Sequence, residues 1–154
     1  MPPPRAYVFP MITPSPTSKI DPTHARGTFL AAIPETATKP GYIKFAVPNS
    51  SYELHFRAVG AITAQPGKRL VGIVRAQALR IDQTDTGGQF IEPVMGRPRR
   101  VQGTVIGVKS GAVIVDAGIP IHCTPTDPRQ TADKFTPGQF IGFDVMDGAS
   151  FEQK

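Results

Sequence analysis

The chain has 154 residues, 40% apolar and 19% charged, with 17 prolines and 15 glycines; that is room for one ordinary domain or two very small ones, and the proline and glycine content weighs against a helical architecture. A single cysteine, Cys123, excludes an intrachain disulfide framework, and no stretch approaches the ~20 apolar residues of a membrane helix. The net charge of +5 is uneven: residues 1–110 carry 14 Lys/Arg against 6 Asp/Glu (+8), residues 111–154 carry 3 against 6 (−3), which points to a polyanionic partner for the basic part.

Residues 1–24 hold seven of the 17 prolines and read as an extended Pro-rich arm, locally polyproline-like. Within it, Ala6–Ile12 is apolar enough to add as an edge strand, with Pro10 keeping it at an edge; the other reading is a disordered tail. The N-terminus lacks the long apolar run of a signal peptide, so the expected location is cytoplasmic.

Strand signals begin at Gly27. Gly27–Ile33 is a candidate strand. Tyr42–Val47 and Tyr52–Val59 alternate around the turn cluster Pro48–Ser51 and form a predicted hairpin. Ile43, Phe45, Leu54 and Phe56 take one face; Tyr42, Lys44, Glu53, His55 and Arg57 take the other. After the Pro66-Gly67 turn comes a long strand, Lys68–Ile81, then a loop, Gln83–Gly88, and a short strand, Gln89–Met95. The basic stretch Gly96–Arg100 leads into three more strands at Arg100–Val108, Ala112–Ala117 and Ile119–Cys123. Thr126 or Asp127 is placed to cap a short helix over Pro128–Phe135 with Pro128 at its first position. Gln139–Met146 is the last clear strand.

The two halves share landmarks. Gly27-Thr28 recurs as Gly103-Thr104, and the Pro-Gly turn at Pro66 recurs at Pro137, 76 and 71 residues on. This spacing predicts two small barrels in tandem. Closure into a barrel also accounts for glycines within strands, which curved strands need at corners, with Gly103, Gly107 and Gly142 as candidates.

The segment Val101–Val145 contains Gly103, Val105, Gly111-Ala112, Val115-Asp116, Gly118, His122 and Gly138. In this order it resembles the S-one-type RNA-binding repeat, a ribosomal-protein OB-fold. The resemblance implies a five-stranded Greek-key barrel that binds single strands on the outer face of its second and third strands. The chain departs from the pattern in two ways. Ser110 and Val113 stand where aromatics are expected, and no clear fifth strand follows Met146. That strand is absent, comes from the N-terminal arm, or is shared with the other half.

Carried to the first half, the OB-fold places a site on Tyr42, Lys44, His55 and Arg57. A ring that accepts a base beside cations that meet phosphates is what single-stranded nucleic acid requires. Lys68, Arg69, Arg75 and Arg80 extend the track, and Arg97, Arg99 and Arg100 form the densest basic cluster, a flexible phosphate contact or a solvated linker. The alternative for the first-half face is a solvated sheet surface with Glu53 paired to Arg57 or Lys44. In the second half the outward positions offer only Asp116 and His122.

Enzymatic chemistry finds no constellation. His122 and Cys123 are strand neighbours and point to opposite faces. The three histidines and one cysteine lack metal-ligand spacing, and Asp85-Thr86-Gly87 reads as a hairpin turn. The expectation is therefore an all-β protein: an arm over 1–24 and OB-like barrels over 25–95 and 96–154. It has no cofactor, metal or membrane partner, and it binds single-stranded nucleic acid, RNA before DNA, without catalysis. The alternative is a protein-interaction or assembly module that docks through the acidic second half or the Pro-rich arm.

Overall fold

The computed structural model describes residues 21–154. The expected edge strand Ala6–Ile12 lies outside the described residues. The protein is all-β, and among the described residues twelve strands join in one continuous network of pairings.

The first four strands follow the alternation in the sequence. They are β1 (Ala25–Ile33), β2 (Tyr42–Ala46), β3 (Glu53–Ala58) and β4 (Arg69–Ala78). Ile43 and Phe45 of β2, Leu54 and Phe56 of β3, and Leu70, Val74 and Ala76 of β4 are buried on one face. The predicted hairpin forms in antiparallel register, with Ile43 opposite Phe56 and Phe45 opposite Leu54. A strand does follow Met146: β12 (Ser150–Gln153) inserts between β3, to which it is parallel, and β4, to which it is antiparallel. β1 pairs with both β2 and β4, so β1-β2-β3-β12-β4 is a closed five-stranded barrel. β12 was hard to read because only one of its four residues, Phe151, is a buried hydrophobe. That ring lies 5.2 Å from Phe45 and 6.0 Å from Phe56, centroid to centroid, so three strands meet in one aromatic cluster.

The remaining strands are short β5 (Asp82–Gln83), β6 (Phe90–Glu92) and β7 (Met95–Gly96), then β8 (Arg100–Lys109), β9 (Ala112–Asp116), β10 (Pro120–Pro125) and β11 (Phe140–Asp144). The expected strand Gln89–Met95 is thus split at Pro93, where no N–H is available to a ladder. β10 lies parallel to the C-terminal half of β4, and pairings continue through β9 and β8 to β11. Just past β11, Val145 bridges back to Ala78, flanked by Leu79 N–H to the Asp144 carbonyl (2.9 Å) and Met146 N–H to the Gln77 carbonyl (2.8 Å).

The expected two-turn helix over Pro128–Phe135 is not formed; a single 3-10 turn occupies Ala132–Lys134. Of the capping candidates, Thr126 is engaged elsewhere and Asp127 closes only a local turn. The Thr126 hydroxyl donates to the Ala78 carbonyl at 2.7 Å, and the Gln130 amide pairs with both backbone groups of Ile81. Asp127 accepts from Arg129 N–H in a local turn. Eight residues held by side chain-to-backbone bonds do not repay helix nucleation.

The landmarks shared by the two halves occupy matching places. Phe29 N–H donates to the Lys68 carbonyl and Gly67 N–H to that of Phe29, at 2.9 and 2.7 Å; Val105 with Gln139 and Gly138 repeats this at 2.8 and 2.9 Å. Both turn glycines have positive φ, +86° and +95°, which favours glycine. Each first strand shifts register directly after this point, between Phe29 and Ala31 and between Val105 and Gly107. A Cβ on Gly27 or Gly103 would overlap the carbonyl oxygen of Ala46 or Asp116 on the next strand. Gly107 has open space around it and serves the bulge instead. Next to Gly103, buried Gln102 donates to the carbonyls of Thr86 and Gly88, at 2.9 and 3.0 Å, and so clamps the loop that carries Asp85-Thr86-Gly87.

Candidate functional site

The outer face of β2 and β3 carries Tyr42, Lys44, His55 and Arg57, as the alternation requires. Lys44 stands opposite His55 in register. The Tyr42 ring stacks on the His55 imidazole, with centroids 4.7 Å apart and planes 20° from parallel. Glu53 lies beside His55, 3.3 Å from Nε2, and not in an ion pair with Lys44 or Arg57. Arg57 is exposed and, among the described residues, forms no ion pair. Its backbone N–H donates to the Ala149 carbonyl at 2.9 Å, which ties β3 to the segment entering β12.

This tie builds a cleft of about 550 Å³. One wall is Tyr42, His55, Phe56 and Arg57. The second is the β1–β2 connection, Thr38–Gly41. The third is Gly96 and Arg97 with Asp147–Ala149. A second groove of about 490 Å³ runs along the other side of Tyr42 and Arg57, between β1's end and Ile43. The sequence pointed to Tyr42, His55, Arg57 and Arg97 but not to the Thr38–Gly41 or Asp147–Ala149 walls. Thr38–Gly41 belongs to the β1–β2 connection and Asp147–Ala149 to the segment entering β12, neither of which carries a strand pattern.

The other candidate residues are dispersed. Lys44 is half-buried and does not line the cleft. Lys68, in the turn before β4, and Arg69, the first residue of β4, are exposed, also outside the cleft. Arg75 is paired with Glu152 of the neighbouring strand at 2.6 Å, and Arg80 with Asp82 at 3.0 Å. The three arginines of Gly96–Arg100 diverge. Arg97 faces the cleft and pairs with Asp147 at 2.9 Å; Arg100 pairs with Asp144 at 3.0 Å. Arg99 is exposed, with its N–H donating to Glu92 and its carbonyl accepting from Val145. The backbone of this stretch is therefore pinned at both ends, in β7 and β8, and is not a linker.

In the second half, His122 is not an outward-facing group. It is buried, and its Nε2–H donates to the Thr23 carbonyl at 2.9 Å. Burial pushes its pKa below the ordinary 6.5. Cys123 is fully buried, and burial raises the pKa of its thiol far out of the range where a thiolate forms. Among the described residues no group of three or more His, Cys, Asp or Glu side chains is placed to hold a metal ion, and no helix is long and apolar enough to cross a membrane.

Comparison of the chain with protein-family models, with curated proteins and with solved structures finds no match.

Proposed function

We propose that the protein binds single-stranded nucleic acid, RNA in preference to DNA, in the cleft beside β2 and β3, without catalysing a reaction on it. The observation that carries this reading is the stacked Tyr42–His55 pair set beside Arg57 and Arg97 in one cleft. An aromatic surface receives a base, and the guanidinium groups receive phosphates. Two further features support it. The closed five-stranded ring has a non-sequential strand order, with β12 between β3 and β4, as a Greek-key OB barrel requires. In that fold the face of the second and third strands, the loop between the first two and the loop before the last form the binding surface. Here those are β2–β3, Thr38–Gly41 and Asp147–Ala149.

We further infer that β8, β9, β10, β11 and the C-terminal half of β4 form a second OB-like barrel, an internal repeat of the first. The Ala78–Val145 bridge and the matched hydrogen bonds around Phe29 and Val105 support this. It is this half that resembles the S-one-type repeat. The rival reading, an assembly module, draws support from exposed Ile106 and Val108 on the β8–β9 hairpin and Val94 and Met95 before β8.

The test is fluorescence anisotropy of a labelled single-stranded RNA, and of the matching DNA, at two salt concentrations. Saturable binding that weakens with salt is expected. The Arg57→Ala/Arg97→Ala variant, which removes both cations of the cleft, is expected to bind more weakly, with the slope of log K against log salt reduced by about two. Absence of binding at low salt defeats the reading and favours the assembly module.

A further inference from the structure

The cleft contains a carboxylate as well as cations. Arg97 Nη1 donates to both oxygens of Asp147, each at 2.9 Å. The remaining donors of that guanidinium have no partner among the described residues. A carboxylate presents two oxygens to a guanidinium much as a phosphate does. Arg57 borders the same loop: a Cβ on Gly148 would stand 4.0 Å from Arg57 Cζ. Arg97 thus holds the protein's own anion on the loop that Arg57 borders.

Resting on the single-strand reading above, the geometry points to Arg97 and Arg57 as a phosphodiester subsite and to Asp147 as its built-in competitor. A backbone phosphate displaces the Asp147 carboxylate from Arg97 while the neighbouring base stacks against Tyr42 and His55. The exchange is cheap because the pair is solvated. The Arg97 and Asp147 side chains are 57% and 66% exposed, and such pairs contribute little stability. The same exposure argues against Asp147 acting as a rigid support that orients Arg97. Arginine–carboxylate pairs also occur at Arg80–Asp82 and Arg129–Asp127. Among the described residues, only Arg97–Asp147 has both members in the cleft that holds the stacked rings.

The experiment measures binding of a labelled single-stranded RNA to the full chain and four variants, Asp147→Asn, Asp85→Asn, Arg97→Ala and Arg97→Ala/Asp147→Asn, by anisotropy at low salt. Asp147→Asn keeps the side-chain shape and removes the charge. Asp85→Asn makes the same change of net charge at an exposed loop position outside the cleft. Arg97→Ala is combined with Asp147→Asn to complete a double-mutant cycle. Asp147→Asn is expected to bind about two- to fivefold tighter than the unaltered chain. Asp85→Asn should change little, and the gain should disappear in the Arg97→Ala background. Equal or weaker binding by Asp147→Asn, or an equal gain from Asp85→Asn, overturns the competitor while leaving the single-strand reading intact. Binding seen only with Asp147→Asn supports the competitor. No binding by either protein overturns both.

Discussion

At the scale of single residues, His122 sets a pH dependence. Its ring is buried against the 21–24 segment, and burial favours the neutral imidazole over the charged one. The hydrogen bond to Thr23 opposes this shift, and the nearby charge of Arg75 reinforces it. The folded pKa is therefore below 6.5, while the unfolded chain takes up the proton near 6.5. The stabilisation is fully present above that value and is lost as pH falls through the folded pKa. Urea unfolding should give a lower midpoint at pH 5.5 than at pH 7.5, with a smaller difference in His122→Gln. An unaltered pH difference in that variant would remove His122 as the cause. The alternation of Ile121, His122 and Cys123 was readable, and it placed His122 on the face opposite Cys123. The residues that cover that face come from 99 positions earlier in the chain, a contact no local pattern contains. Tyr42, His55 and Arg57 share a face by simple period-two counting, so that part of the cleft was readable as well.

Among elements, β12 carries the most consequence for the least sequence signal. Its strand pairings join β3 to β4, and Phe151 fills the space between Phe45 and Phe56. Phe151→Ala removes a fully buried ring and is expected to destabilise the protein by about 3–5 kcal/mol, because the surrounding strands cannot collapse into the space. Chemical denaturation checks this; a loss near zero would mean that β12 does not hold the barrel closed. Strands with several alternating apolar residues, such as β3 and β4, were legible from the sequence. The segment Pro128–Phe135 follows two helix-capping candidates, yet the Thr126 hydroxyl bonds to Ala78 and the Gln130 side chain to Ile81.

For the whole molecule, strand exchange couples the two halves. The five-stranded barrel takes β12 from the second half, and β10 of the second half pairs with β4 of the first. The fragments 25–95 and 96–154, separately expressed, should each lack a cooperative unfolding transition, because each leaves unpaired strand edges and exposed core. Circular dichroism and proton NMR of the fragments provide the check. A fragment 25–95 with a cooperative transition and dispersed amide signals would show that the first half needs no strand from the second.

By itself the sequence determined that the chain is all-β, where most long strands run, which residues of the β2–β3 hairpin face outward, and that two segments share landmarks. These properties depend on local periodicity and turn chemistry, which neighbouring residues carry. Tertiary structure alone decided that β12 closes the five-stranded barrel, that β4 also pairs with β10, and that Asp147 and Arg97 meet beside Tyr42 and His55. Such pairings join residues far apart in the chain. They are selected by the joint requirement to satisfy every strand edge and fill one core.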